Sequence, residues 1–299
     1  MGREDLYRRI NEGILEERFA AFERNLAKNI PLIRSHGGLQ RVLPMLAGMH
    51  VVVVGAGPSL NGAVDLLKKF QHRENIRIIA SDMALLPLAR GGVRPAFAIT
   101  CETTPVDFFA ECPSGAAHLL AFSCASNINL RRWRGDISFY NWMLRGEPYD
   151  GLWRTAGEEL GFVATGSIVT TQAVSLALGC GIASLALVGN DMGFSRSFYA
   201  RNTLAHRRLV AGGCRLSPPE TIEFGSVWRA RQYVIHREGR SYFTNGQFLA
   251  ARTWLEDLFG RQSVPIYDAS EPGCDRKSVR KTGLEVYLET AGRRAGGRR

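Results

Sequence analysis

Four consecutive valines, Val51 to Val54, make an apolar run without polar alternation. Such a run predicts a strand buried on both faces, as in a parallel sheet. A glycine turn follows, and then a helix from about Gly62 to Phe70. The same rhythm repeats along the chain. Strands are expected at 76–80, 96–100, 118–122, 137–142 and 183–188, with a short last strand at 264–267. Helices are expected at 83–90, 168–179 and 247–259. This alternation predicts an α/β fold: a Rossmann-like, doubly wound, mainly parallel sheet with helices on both faces.

A different period opens the chain. Leu6, Ile10, Ile14, Phe19, Phe22, Leu26, Ile30 and Ile33 recur at helical spacing. Residues 3–34 are therefore expected to form one long amphipathic helix packed on the side of the core. Pro31 is expected to kink or end it. Two stretches show no period. Residues 143–164, with Gly146, Pro148, Gly151 and Gly157, are expected to be a mobile connection. Residues 192–225 are expected to be a lid over the site, because loops of that length in compact domains are usually functional. The chain thus divides into an N-terminal helical extension (1–48), a Rossmann-like domain (49–285) and a basic, disordered tail (286–299).

Composition narrows the function classes. The 299 residues are 45% hydrophobic and 22% charged, which is ordinary for a globular protein. No run of about 18 apolar residues occurs, so no membrane span is expected. The first residues are charged and lack an apolar signal core, which points to a cytoplasmic protein. The net charge of +10 is scattered arginine plus a basic tail. No nucleic-acid-binding motif accompanies it, so nucleic acid is not an expected partner. Anionic nucleotides or nucleotide-sugars suit such a surface. The six cysteines form no CxxC pair, so free thiols are expected and no metal site. The pattern leaves the oligomeric state open.

The chemistry is expected at the carboxyl ends of the strands, where a doubly wound sheet binds its ligands. Gly55, Ala56, Gly57, Pro58 and Ser59 follow the valine strand. Gly55 and Gly57 remove side chains where a ligand would approach the backbone. Pro58 suits a first helical turn, and Ser59 can cap the helix or bond a ligand oxygen. The run is not a dinucleotide fingerprint, because Leu60 replaces the third glycine. It is not a P-loop, because no Lys-Ser/Thr pair follows. Thr165, Gly166 and Ser167 precede the helix at 168–179 and form a second anion-site candidate. Asp82, Glu102 and the pair Asn190-Asp191 fall at strand ends on the same edge.

Gly55-Ala56-Gly57-Pro58-Ser59-Leu60, taken with Thr165-Gly166-Ser167, the small-residue helix and Leu187-Val188-Gly189-Asn190-Asp191, resembles the motility-associated (Maf) flagellin glycosyltransferases. It is also similar to the related proteins resembling 6-hydroxymethylpterin diphosphokinase (MptE-like), and to bacterial sialyltransferases that use CMP-sugars. The resemblance spans about residues 50–270. It implies that Gly55, Gly57, Pro58 and Ser59 face the nucleotide and that Asp82 lies near the donor. It also implies that Thr165, Gly166 and Ser167 touch nucleotide or sugar. The sialyltransferases carry a catalytic histidine before the last long helix. Here that place reads Phe243-Thr244-Asn245-Gly246.

Three functions stay open. The first is glycosyl transfer from a CMP-activated nonulosonic sugar to a hydroxyl of flagellin, another protein or a glycan, with no tightly bound cofactor. His206 and Asp191 are its candidate bases, and Arg201, Arg207 and Arg208 its candidate phosphate or carboxylate binders. The second is pyrophosphoryl transfer from ATP to a pterin-like alcohol, with Mg held among Asp82, Glu102 and Asp191. The third is a non-catalytic nucleotide-sugar-binding or assembly factor.

Overall fold

The computed structural model describes residues 3–109, 111–112, 115, 117–230, 232–237, 239–275 and 278–292, with side chains of the first helix described from Glu17 onward. The strands are β1 (His50–Val54), β2 (Ile76–Ser81), β3 (Phe97–Thr100), β4 (His118–Phe122), β5 (Ile137–Trp142), β6 (Phe162–Val163), β7 (Ser184–Val188), β8 (Tyr233–Arg237), β9 (Arg240–Thr244), β10 (Ile266–Asp268) and β11 (Val279–Lys281). Nine of them form one sheet in the order β11-β10-β7-β1-β2-β3-β4-β5-β6. Every pairing in it is parallel. β8 and β9 form a separate antiparallel hairpin. The α/β fold expected from the apolar runs is the fold of the protein.

The order explains where a ligand can enter. From β1 the chain steps outward through β2, β3, β4, β5 and β6. It returns through the helix Val169–Gly179 and places β7 on the other side of β1. The register brings Val52 beside Ile78 on one side and Ala186 on the other. The direction of winding reverses between β1 and β7. Loops leaving these two strands diverge to opposite faces and open a crevice at the carboxyl edge. The valines of β1 are fully buried because helices cover both faces of the sheet.

The first helix is longer than expected, Arg3–His36, and continues through Pro31. Leu6, Ile10 and Ile14 of its apolar stripe lie outside the described side chains. Phe22, Leu26 and Ile33 are buried. Phe22 meets the rings of Phe122 and Trp142 edge-on at 5.4 and 5.5 Å. One polar row is buried with them. Asn25 donates to Thr103 O and Cys124 O at 2.9 and 3.1 Å. Asn29 donates to Ser123 O and Ala125 O at 2.9 and 2.8 Å. These carbonyls belong to the segments after β3 and β4, so the helix clamps the carboxyl edge of the sheet and is part of the domain.

Three further expectations need correction. Residues 143–164 are not a featureless connection: Tyr149–Ala156 is a helix, with Leu152 and Trp153 buried. Trp153 Nε1 donates to Leu144 O at 2.7 Å and fixes that turn. Residues 192–225 hold the helix Leu204–Ala211 and most of the helix Pro219–Ala230. The former buries no residue, so it carries no apolar stripe to detect. The boundary at 286 falls within the helix Leu284–Gly292, where Tyr287 and Leu288 are buried and Tyr287 OH pairs with Ser184 Oγ at 2.9 Å. The rest of the expected tail, 293–299, lies outside the described residues. All six cysteines are free. Among the described residues no helix is long and apolar enough to cross a membrane.

Candidate active site at the sheet switch point

A cavity of about 400 Å³ opens over the carboxyl ends of β1, β2, β3 and β7. Its floor is the pair of turns after β1 and β7, which are fastened to each other. Gly55 N donates to Val188 O and Gly57 N to Gly189 O, both at 2.8 Å. Ser59 Oγ accepts from Gly189 N at 3.0 Å and donates to Asp191 Oδ1. Asp191 Oδ2 accepts from Ser59 N at 2.9 Å, and its Oδ1 also takes Glu271 N at 3.0 Å. Burial pushes the Asp191 carboxyl up to about 6, against the lowering effect of these bonds.

This geometry revises the reading of the loop. Gly55 and Gly57 are glycines because the opposite turn touches them. A Cβ on Gly55 would strike Gly189 O, and one on Gly57 would strike the Asp191 carboxylate. Gly189 adds a φ of +68° and a Cβ that would strike Gly55 O. Ser59 neither caps a helix nor faces the cavity: its hydroxyl is spent on Gly189 and Asp191. Pro58 does sit in the first turn of a short 3-10 helix, Pro58–Gly62. Gly55, Ala56 and Gly57 line the cavity, and Pro58 and Ser59 do not.

Three buried polar atoms in the cavity wall are treated differently. Ser81 Oγ, Thr170 Oγ1 and Asn190 Oδ1 have no hydrogen-bond partner among the described residues. Their residues are 2%, 5% and 3% exposed, and all three line the cavity. Asn190 is held rigidly, since Nδ2 donates to Val53 O and Val188 O at 3.0 Å each. That leaves its carbonyl oxygen as the unused half of the amide. An unpaired buried polar atom costs about 1–3 kcal/mol, so three around one cavity call for a ligand or ordered water. Thr170 stands in the first turn of the helix Val169–Gly179, whose N-terminus no side chain caps. Its first N–H groups and dipole favour an anion there.

Ser167 has a φ of 79°, a left-handed conformation that is unfavourable for serine. Gln247 Nε2 holds its carbonyl at 2.9 Å. Ser167 lines the cavity, whereas Thr165 and Gly166 stand behind it. Thr165 Oγ1 accepts from Gln172 Nε2 at 3.2 Å. Gly166 packs on the Trp254 ring, which a Cβ would meet at 2.8 Å.

The acidic residues do share one edge. Asp82, Glu102 and Asp191 all line the cavity. Asp82 accepts from Thr100 Oγ1 at 2.6 Å and from Met83 N at 2.8 Å. Burial raises its carboxyl to about 6, and the nearby Glu102 charge adds to this. Glu102 Oε1 takes the N–H and hydroxyl of Thr104 at 2.8 and 2.7 Å. Among the described residues no three carboxylate, histidine or cysteine side chains converge on one point, as an all-protein metal cage would need.

His206 stands elsewhere. It lies in the helix Leu204–Ala211, one turn past the capping Thr203, and does not line the cavity. Nor do Arg201, Arg207 and Arg208. Arg207 pairs with Glu111, which also holds Arg90 at 2.8 Å. The opposite wall is aromatic: Phe198, Tyr199 and Phe248 line it, with Phe194 behind Phe198 at 4.1 Å between ring centres. Asn245, in the stretch where the sialyltransferases have histidine, lines the cavity and caps the helix Gly246–Phe259 through Phe248 N at 2.9 Å. Ser81, Thr170, Phe198, Tyr199 and Phe248 were not singled out by sequence. Each is a lone residue within a run that already had a structural meaning.

The Maf glycosyltransferase from Magnetospirillum magneticum AMB-1 superposes with a TM-score of 0.52 at 15% sequence identity, over 86% of this chain and 42% of that protein. The chain therefore spans less than half of the length of that glycosyltransferase, and the likeness is one of fold. No curated protein sequence matches. A family model described as 6-hydroxymethylpterin diphosphokinase MptE-like matches residues 24–197, which is more than half of the chain and runs from the Asn25 clamp past Asp191. The chain belongs to this MptE-like family.

Proposed function

We propose that the protein is a transferase acting on a nucleotide-activated donor, and that the reaction is glycosyl transfer from a CMP-activated acidic sugar to a hydroxyl acceptor. The observation that carries the donor site is the set of unpaired atoms Ser81 Oγ, Thr170 Oγ1 and Asn190 Oδ1 beside an uncapped helix N-terminus. A phosphate placed there receives hydroxyl and backbone donors and the helix dipole. The same groups stabilise it as it leaves. The Asn190 carbonyl suits an N–H or O–H of the nucleoside, and the Phe198–Tyr199–Phe248 wall suits a ring. Similarity of the two motifs to CMP-sugar enzymes supports the cytidine donor, and the fold shared with a Maf glycosyltransferase supports the reaction class.

In this reaction the acceptor oxygen attacks the anomeric carbon, the bond from that carbon to phosphate oxygen breaks, and CMP departs. The acceptor proton needs a base within the cavity. Asp82, with its carboxyl raised to about 6, fits that role. Asp191 fits a positioning role, because both of its oxygens already hold the two turns together. His206 does not line the cavity, which leaves it the weaker candidate. A cytoplasmic site of action and a flagellin or glycan acceptor belong to the same proposal.

A second reading is favoured by the family match and by Asp82 beside Glu102. Magnesium on a nucleotide's phosphates needs only one or two protein carboxylates, and this pair could supply them for pyrophosphoryl transfer to a pterin-like alcohol. One experiment separates the readings: thermal melts with CMP, CDP, CTP, UDP, GDP, ADP and ATP, each with magnesium or EDTA. A ligand of the native state raises the melting temperature. Stabilisation by cytidine nucleotides in EDTA is the expected result. Stabilisation by ATP only with magnesium would establish the second reading. Stabilisation by cytidine nucleotides together with no product from a CMP-sugar in a separate turnover assay would leave a carrier or assembly factor.

A further inference from the structure

The cavity wall holds three carboxylates, Asp82, Glu102 and Asp191, and among the described residues that line it only one is cationic: Arg18. Arg18 comes from the N-terminal helix, outside the span matched by the family model. It forms no ion pair with any described residue, and its charge is felt by the Cys101 thiol. Its backbone is held in place. Phe22, one turn along, is fully buried, and Asn25 and Asn29 bind four carbonyls at the sheet edge. The Arg18 side chain is itself exposed and lines the cavity; its charge reaches Cys101 at the end of β3, three strands along the sheet from the Asn190 turn that follows β7.

We infer that Arg18 recognises an anionic group of the substrate: a carboxylate or phosphate at the end of the ligand remote from the nucleoside. This rests on the donor reading above. An anion entering a wall with three carboxylates meets repulsion. The helix N-terminus offsets it at one end of the cavity. Toward the end of β3 Arg18 is the cationic side chain among the described lining residues that can do so, and a guanidinium does it with two parallel hydrogen bonds. In a CMP-activated acidic sugar the remote anion is the sugar carboxylate. In a nucleoside triphosphate it is the terminal phosphate. The N-terminal helix is then a specificity element, and the clamp by Asn25 and Asn29 is what gives it a defined position.

The test compares wild type, Arg18→Ala and Arg18→Lys in two measurements. The first is calorimetric affinity for CMP, CMP-N-acetylneuraminate, AMP and magnesium ATP. Arg18→Ala is expected to weaken the ligand with the remote anion about tenfold while leaving the matching monophosphate unchanged, since a charge-assisted bond of this kind contributes about one decade. Arg18→Lys is expected to restore part of the loss. Loss confined to the sugar nucleotide identifies the carboxylate, and loss confined to ATP the phosphate. The second is labelling of arginines with phenylglyoxal, read by peptide mass spectrometry, with N-acetylneuraminate or inorganic pyrophosphate as protectant. Arg18 should be protected and Arg208 not. Protection without nucleotide binding would sustain the anion site and remove the nucleotide reading. Equal affinities in all three proteins, with Arg18 unprotected by either anion, would overturn the inference.

Discussion

Ser59 and Asp191 belong to the same sheet edge as Ser81, Thr170 and Asn190, yet the two groups spend their polar atoms in opposite ways. Ser59 and Asp191 satisfy each other and the backbone of the facing turn. Ser81, Thr170 and the Asn190 carbonyl find nothing to bind. The first group ties the turns after β1 and β7 together, and the second leaves polar atoms without a partner among the described residues in the cavity wall. Within one motif, Gly55, Ala56 and Gly57 line the cavity while the Ser59 hydroxyl is used in the framework. The glycines at 55, 57 and 189 are required by turn-on-turn packing, and of the unpaired neighbours only Asn190 stood out in the sequence.

Substitutions should separate the two groups. The largest effect is expected at Gly189→Ala, which combines a positive φ with a clash against Gly55 O. A loss of about 4 kcal/mol, measured by denaturant unfolding, is the expected cost. A small loss would mean that the turns are not locked together.

Next comes pH. Asp82 and Asp191 titrate near 6 when folded, against 3.8 ordinarily. Between those values the folded protein keeps protons that the unfolded chain has released. The resulting stability is fully present below about pH 4 and is lost as pH rises through about 6, by up to about 3 kcal/mol for each carboxyl. Asp82→Asn should flatten that slope in melts taken from pH 4 to 7. An unchanged slope would place the titrating groups elsewhere.

Ser59→Ala removes one hydroxyl with two partners and should cost about 2 kcal/mol. His206→Ala should change stability by less than about 0.5 kcal/mol and leave turnover intact. A collapse of turnover there would bring the helix Leu204–Ala211 into the chemistry.

The extent to which the chain announced this structure follows from burial. β1 to β5 and β7 are covered on both faces, so each appears as a mainly apolar run, broken only by Arg77 in β2 and by Ser138 and Asn141 in β5. β6 has two residues, and β11 exposes Arg280 and Lys281, so neither leaves such a trace. The hairpin β8–β9 is half exposed, and its burial follows no strict alternation. Within the site, strand ends were legible because they follow apolar runs at once, which brought out Asp82, Glu102, Asn190 and Asp191. Thr170 was hidden inside Ile168-Val169-Thr170-Thr171, where hydroxyls serve helix packing equally well. Arg18 was hidden for another reason: the first helix is charged on its solvent side, and only the clamp at Asn25 and Asn29 sets which arginine reaches the cavity.

The claim that one group builds and the other binds is tested most directly by Thr170→Val, set beside Ser59→Ala in melts with and without the stabilising nucleotide. Valine keeps the shape of threonine and removes the unpaired hydroxyl. The expected result is an unchanged or slightly higher melting temperature for Thr170→Val with the nucleotide-induced rise sharply reduced, and a lower melting temperature for Ser59→Ala. A Thr170→Val protein that melts lower and still responds fully to nucleotide would contradict the account, because Thr170 would then be part of the framework.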